Sequence, residues 1–159
     1  MKRRLASYVV LSIPLLLLAT CGRSQNKSVS SGMSCEHHAT IHVVANGLEH
    51  TEGQVLVALY ASKDGFPSDT EKAIQRGVAQ MDSTAATYTF APVPQGDYAV
   101  SVLHDEDGNG SMKTAAFGRP AEGWGVSNDV KARFGPPKFQ DAIFAALEDS
   151  VTVELNLRY

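Results

Sequence analysis

The sequence predicts an all-β domain: an antiparallel β-sandwich of about seven strands, with one short helix and one long glycine-rich loop. Three observations predict it. Short runs of β-branched and aromatic residues recur along the chain, each closed by Gly, Pro, Asn or Asp. Only one stretch carries helix signals, and it is short. The stretch from His104 to Asn128, HDEDGNGSMKTAAFGRPAEGWGVSN, matches neither a strand nor a helix period. A loop that long in a small domain is uncommon and usually functional or disordered. Turn-punctuated strands with so little helix belong to two-layer β architectures.

In chain order, residues 40–45 (TIHVVA) predict the first strand, and Asn46-Gly47 the turn after it. Residues 54–60 (QVLVALY) are almost wholly apolar, as in a strand covered on both faces. Ser68 followed by Glu71 fits a capping box and predicts a short helix over 69–76. Residues 78–81 and 86–90 (ATYTF) predict two further strands, and Gln95-Gly96-Asp97 a turn. Residues 98–103 (YAVSVL) alternate, with Tyr98, Val100 and Val102 on one face and Ala99, Ser101 and Leu103 on the other. That strand delivers the chain into the loop at His104. Pro136-Pro137 forbids ladder pairing there. Residues 139–147 fit either a helical turn or a strand, and residues 151–157 (VTVELNL) predict the last strand.

The front end is read separately. Lys2, Arg3 and Arg4 precede an apolar stretch from Tyr8 to Ala19, too short for a comfortable membrane span and suited to a signal peptide over residues 1–20. Leu18-Ala19-Thr20-Cys21 resembles a bacterial lipobox, which predicts lipidation at Cys21 and a partner in the membrane. Residues 21–37 are polar and serine-rich, a flexible tether before a folded domain over 38–159. These features predict secretion across the inner membrane and residence in the periplasm or at the outer membrane. Losing three basic residues and no acid leaves 11 basic against 17 acidic residues, so nucleic acid is excluded as a partner. With Cys21 lipidated, Cys35 is an unpaired thiol; otherwise a bridge between the two, or an intermolecular link through Cys35, is open.

The segment FAPVPQGDYAV, residues 90–100, resembles a transthyretin-like or carboxypeptidase-regulatory-like sandwich of Greek-key type. There a strand runs through a Pro-x-Gly turn into a strand opened by tyrosine. A wider match lies in PQGDYAVSVLHDEDGNG, FGRPAEGWGVSN and RFGPPKFQDAIF, which are similar to the bacterial family known as domain of unknown function 2141, from Ile41 to Tyr159. The resemblance implies a secreted or envelope-located β-sandwich and supplies no activity. At residues 112–115 (MKTA) this chain departs from the family's Leu-Asp-Thr-Asn, losing one acid and one amide.

Within the loop, Asp105, Asp107 and Asn109 alternate and Gly110 follows, the first half of a calcium-binding turn. Ser111 adds a carbonyl, and Glu122 or Asp129 folding back would complete the set. The twelfth position, which an EF-hand fills with glutamate, is Ala116, and Lys113 opposes a cation nearby. Otherwise these side chains cap their own backbone in an Asx-rich turn. Trp124, between Gly123 and Gly125, either stacks on a ligand or plugs the loop onto the core. His104, Glu122, Trp124 and Asn128 make up the candidate ligand surface. Cys35, Glu36, His37, His38 and His42 gather metal-ligating side chains in a spacing that matches no standard zinc motif. Three functions follow: a non-enzymatic envelope lipoprotein that binds a glycan or protein partner through loop 104–128; a calcium-stabilised carbohydrate- or peptidoglycan-binding module; and a hydrolase with acid/base groups at His104, Asp105 and Glu106. The first is the expectation, with calcium the only candidate cofactor.

Overall fold

A computed structural model describes residues 37–115, 119–131 and 135–159. The predicted signal peptide, the expected lipidation at Cys21, most of the expected tether, and Cys35 and Glu36 lie outside the described residues. Among the described residues no helix is long and apolar enough to cross a membrane.

Among the described residues the strands are β1 (His38–Asn46), β2 (Gln54–Tyr60), β3 (Gln75–Met81), β4 (Ala85–Thr89), β5 (Val93–Pro94), β6 (Gly96–Asp105), β7 (Gly123–Val126), β8 (Phe144–Ala146) and β9 (Ser150–Asn156), with one turn of α-helix, α1 (Phe139–Ala142), and short 3-10 turns. The all-β expectation holds. The strands form one continuous sheet rather than two stacked ones. β4 and β5 run in line along one side of β1, and β9 runs along the other, parallel to β1 from Thr40↔Ser150 to Asn46↔Asn156. The order continues from β4 through β3 and β2 to β6, whose far side takes β7 and then β8. This sheet curls into a half-barrel, and its two margins meet at one point. There the backbone N–H of Trp124 donates to the Arg158 carbonyl and that of Arg158 donates back, both at 2.9 Å.

Alternation decides what the curl encloses. Ile41, Val43 and Ala45 of β1, Val55, Val57 and Leu59 of β2, and Tyr98, Val100 and Val102 of β6 fill the main core with Val153 and Leu155 of β9. β2 is buried on both faces from Val57 onward because the segment after it folds back. Tyr60 meets Phe66 edge-on at 5.4 Å and Phe66 meets Phe139 at 5.7 Å, so a small outer cluster forms over Ala99 and Val126.

Local expectations fail where pairing overrides propensity. The helix predicted over 69–76 is a single 3-10 turn, Thr70–Lys72, capped by Asp69 rather than Ser68. Arg76 and Gly77 are instead drawn into the ladder with β2. β3 and β4 share only the pairs at Gln80 and Met81, and the Gln75 carboxamide spans the opening by both donating to and accepting from the Ala91 backbone. The predicted loop also contains a strand, β7. Its glycines answer to the C-terminal strand and not to the tryptophan between them. A Cβ on Gly125 would lie 2.7 Å from Leu155 Cδ1 and 2.9 Å from the Asn156 carbonyl oxygen. Gly125→Ala therefore lowers stability by about 1–3 kcal/mol through forced separation of β7 from β9, read as a drop in denaturation midpoint with unchanged m-value.

Candidate functional site

β6 is the longest strand among the described residues, and its last residues diverge by alternation: His104 continues the inward row of Val100 and Val102, while Asp105 points to the other face. The β1–β2 loop crosses this strand end at Gly53. A Cβ there would sit 2.3 Å from the Asp105 carbonyl oxygen, and φ is +77°, so only glycine permits the crossing.

Asp105 is fully buried and organises the loop's first turn. Its carboxylate accepts hydrogen bonds from the Gln54 side chain at 2.8 Å, Asn109 N at 3.1 Å and Gly110 N at 2.8 Å. Burial, the largest single influence, pushes its pKa up. The hydrogen bonds from Gln54, Gly110, Asn109 and Gly108 outweigh it and hold the group below the ordinary carboxylate value. Asp107 also accepts from Asn109 N, at 3.3 Å, and Asn109 Oδ1 accepts from Ser111 N at 2.7 Å. The turn is thus an Asx-type turn.

Glu122 closes the same loop from its other end. It is 2 % exposed, accepting from Glu106 N at 3.1 Å through one oxygen and from Lys113 N at 2.7 Å through the other. Between them Ala121 N donates to the Lys113 carbonyl and Ala115 N to the Arg119 carbonyl, so the two arms pair as a short ladder. Carboxylate oxygens of Asp105, Asp107 and Glu122 come within 4.8 Å of one another. Lys113 Nζ stands 3.5 Å from Asp107. Asp129 does not join them; its carboxylate holds the Asn156 backbone and side chain, each at 2.7 Å.

On the opposite side of the strand end, His104 has no solvent exposure. Its Nε2 lies 2.8 Å from the Glu52 carbonyl, which only accepts, so in the neutral ring Nε2 carries the proton. Nδ1 then accepts from the Tyr159 hydroxyl at 2.6 Å. Burial, with smaller contributions from Glu106 and Glu49, pushes the Tyr159 pKa up against the opposing Glu49 N–H, so the phenol stays protonated to donate. His50 packs on the His104 ring with centroids 4.9 Å apart, and its Nε2 lies 3.5 Å from Glu106.

Of the expected ligand surface, Trp124 and Asn128 reach solvent, while His104 and Glu122 lie beneath it. Trp124 faces outward beside Leu103, half-buried, with the Arg158 guanidinium 5.9 Å from its ring; it does not plug the core. Asn128, at φ 61°, spends its amide on the Asp141 and Ile143 carbonyls and ties α1 to the loop's exit. On the outer face an open hollow of about 320 Å³ runs from Ala58, Arg76 and Val78 to Gly110 at the loop's turn. At the other end, His42 Nδ1 is 2.8 Å from Thr89 Oγ1, and no metal-holding group forms among the described residues there. His50, Gln54 and Tyr159 had no sequence signal as site residues.

No curated protein and no solved structure matches this chain. A family model described as "Uncharacterized protein conserved in bacteria (DUF2141)" matches residues 43–154, from within β1 to within β9. The chain belongs to that bacterial family.

Proposed function

We propose that this protein is a non-enzymatic module of the bacterial cell envelope, lipid-anchored at Cys21, that binds a glycan or protein segment at the foot of loop 104–128. The observation that carries this reading is the outer hollow, where exposed Val78 and Arg76 stand beside Gly110 of the loop's turn. Arg76 is paired there with Glu71, so an apolar wall meets a polar, charge-balanced rim, which suits an extended ligand with sugar or peptide groups. Against the hydrolase reading, both ring nitrogens of His104 are engaged and the Asp105 carboxylate accepts several hydrogen bonds, so neither is poised to exchange protons with a substrate. Titrating labelled protein with peptidoglycan fragments and envelope peptides tests the proposal by amide shift changes. Changes centred on residues 56–58, 76–78 and 110 are expected; no changes there with any ligand would sink it.

Calcium is a second reading, favoured by the approach of Asp105, Asp107 and Glu122 within 4.8 Å. Calcium is expected to raise the melting temperature, EDTA to reverse the rise, and Asp107→Asn to abolish it. A melting temperature indifferent to calcium removes this reading and leaves the first intact.

The clamp at Asp105 gives a pH dependence of known sign. Its folded-state pKa is depressed, so its stabilisation is present above the unfolded carboxylate value of about 3.9 and lost as pH falls through the lower folded value. Asp105→Asn should melt several degrees lower at pH 7, from a loss of about 1–3 kcal/mol. Its melting temperature should also fall less steeply than the parent's below about pH 4. Thermal scans from neutral to acid pH measure both.

A further inference from the structure

Among the described residues one buried side-chain nitrogen or oxygen has no hydrogen-bond partner: Nδ1 of His50. Buried polar atoms are nearly always satisfied, so an orphan asks for an explanation. The ring is not isolated in an apolar setting. One ligating atom each from His50, His104 and Glu106 lie within 4.8 Å of one another. We propose that these three side chains form a binding site for a divalent transition-metal ion, zinc foremost, distinct from the carboxylate group of Asp105, Asp107 and Glu122.

Three features argue for it. The donors are two imidazoles and one carboxylate, a set that suits zinc or copper and is poorly matched to calcium, which takes oxygens. The His104 tautomer is preset: its Nε2–H donates to the Glu52 carbonyl at 2.8 Å, which leaves the lone pair on Nδ1. A backbone carbonyl holding the far nitrogen is the usual outer support of a metal-ligating histidine. The site also opens to solvent, since the side chains of His50 and Glu106 are 37 % and 32 % exposed. Metal entry requires the Tyr159 hydroxyl to leave Nδ1. Tyr159 is 44 % exposed, so its ring has room to turn outward. Metal–ligand bonds of roughly 2.0–2.2 Å then require the three donors to draw together by about an ångström.

The sequence alone hides this set. His50 comes from the β1–β2 loop, His104 from the inward row of β6 and Glu106 from the residue after that strand. Gly53 is what lets the loop cross so closely.

Isothermal titration of the full chain with zinc chloride, in a Cys35→Ser, Glu36→Gln, His37→Ala, His38→Ala background that leaves His42 as the last of the N-terminal ligand group, is the test. One zinc per chain at micromolar affinity is expected, with loss of saturable binding in His50→Ala and in Glu106→Gln. Nitrogen-15 spectra of the imidazoles should show His104 Nδ1 shifting on zinc addition, a readout that needs no variant of this buried residue. Asp107→Asn should bind zinc as the parent does. Absence of saturable binding in the background chain, undiminished binding in His50→Ala, or an unmoved His104 Nδ1 at saturating zinc would overturn the assignment.

Discussion

A buried carboxylate marks where the sheet ends and the loop begins. Asp105 is the last residue of β6, and its oxygens gather N–H donors from β2 and from the turn that follows. A carboxylate out of water must be compensated, and amide N–H groups of Gln54, Asn109 and Gly110 do so here. The arrangement couples two things that would otherwise be independent: the register of β2 on β6, and the path of the loop. Gln54 pairs with Asp105 in the ladder and also donates its side chain to it. Glu122 repeats the device sixteen residues along from Glu106, whose N–H it accepts, so the loop is fastened at both feet.

The second constraint is closeness. β7 approaches the C-terminal segment through glycines on its inward side, Gly123 against the Tyr159 ring and Gly125 against Leu155 and Asn156. That approach brings the sheet's margins together at Trp124 and Arg158, and it sets Tyr159 over His104. One strand pairing thus closes the half-barrel and covers its buried histidine. Asp129 and Arg158 reinforce the seam, the first by holding Asn156 and the second by donating to the Asp129 and Val130 carbonyls.

Much of this was legible in the sequence. Alternation in residues 98–103 separates the row of Tyr98, Val100 and Val102 that fills the core, and alternation in 151–157 marks the last strand, because a half-buried sheet imposes a period of two. Asp105, Asp107 and Asn109 were legible as an oxygen-rich turn, whereas the sequence left Glu122 and Asp129 as equal candidates to close it, and only Glu122 folds back. The Ser68–Glu71 capping box misled because ladder pairing of Arg76 and Gly77 with β2 outweighs one capped turn. The glycines flanking Trp124 misled for a related reason: the clash they avoid is with residues thirty positions away, which no local pattern announces. His50 was invisible because its partners are joined to it only by the crossing at Gly53.

The two clusters beside the end of β6 differ in what they still lack. Asp105 and Glu122 already accept backbone or side-chain N–H groups, and Asp107 faces Lys113. These bonds already shape the loop, and an ion arriving there would compete with them. Such a preformed oxygen set gains little order from an ion, so any stabilisation by calcium would come from charge neutralisation more than from folding. On the histidine side the balance is reversed. His104 is oriented by Glu52, Glu106 lies within reach of His50, and a nitrogen of His50 is left with nothing. Alternation alone separates the two environments: consecutive residues at a strand's end face opposite sides, so His104 and Asp105 enter different chemistries though they are neighbours in the chain.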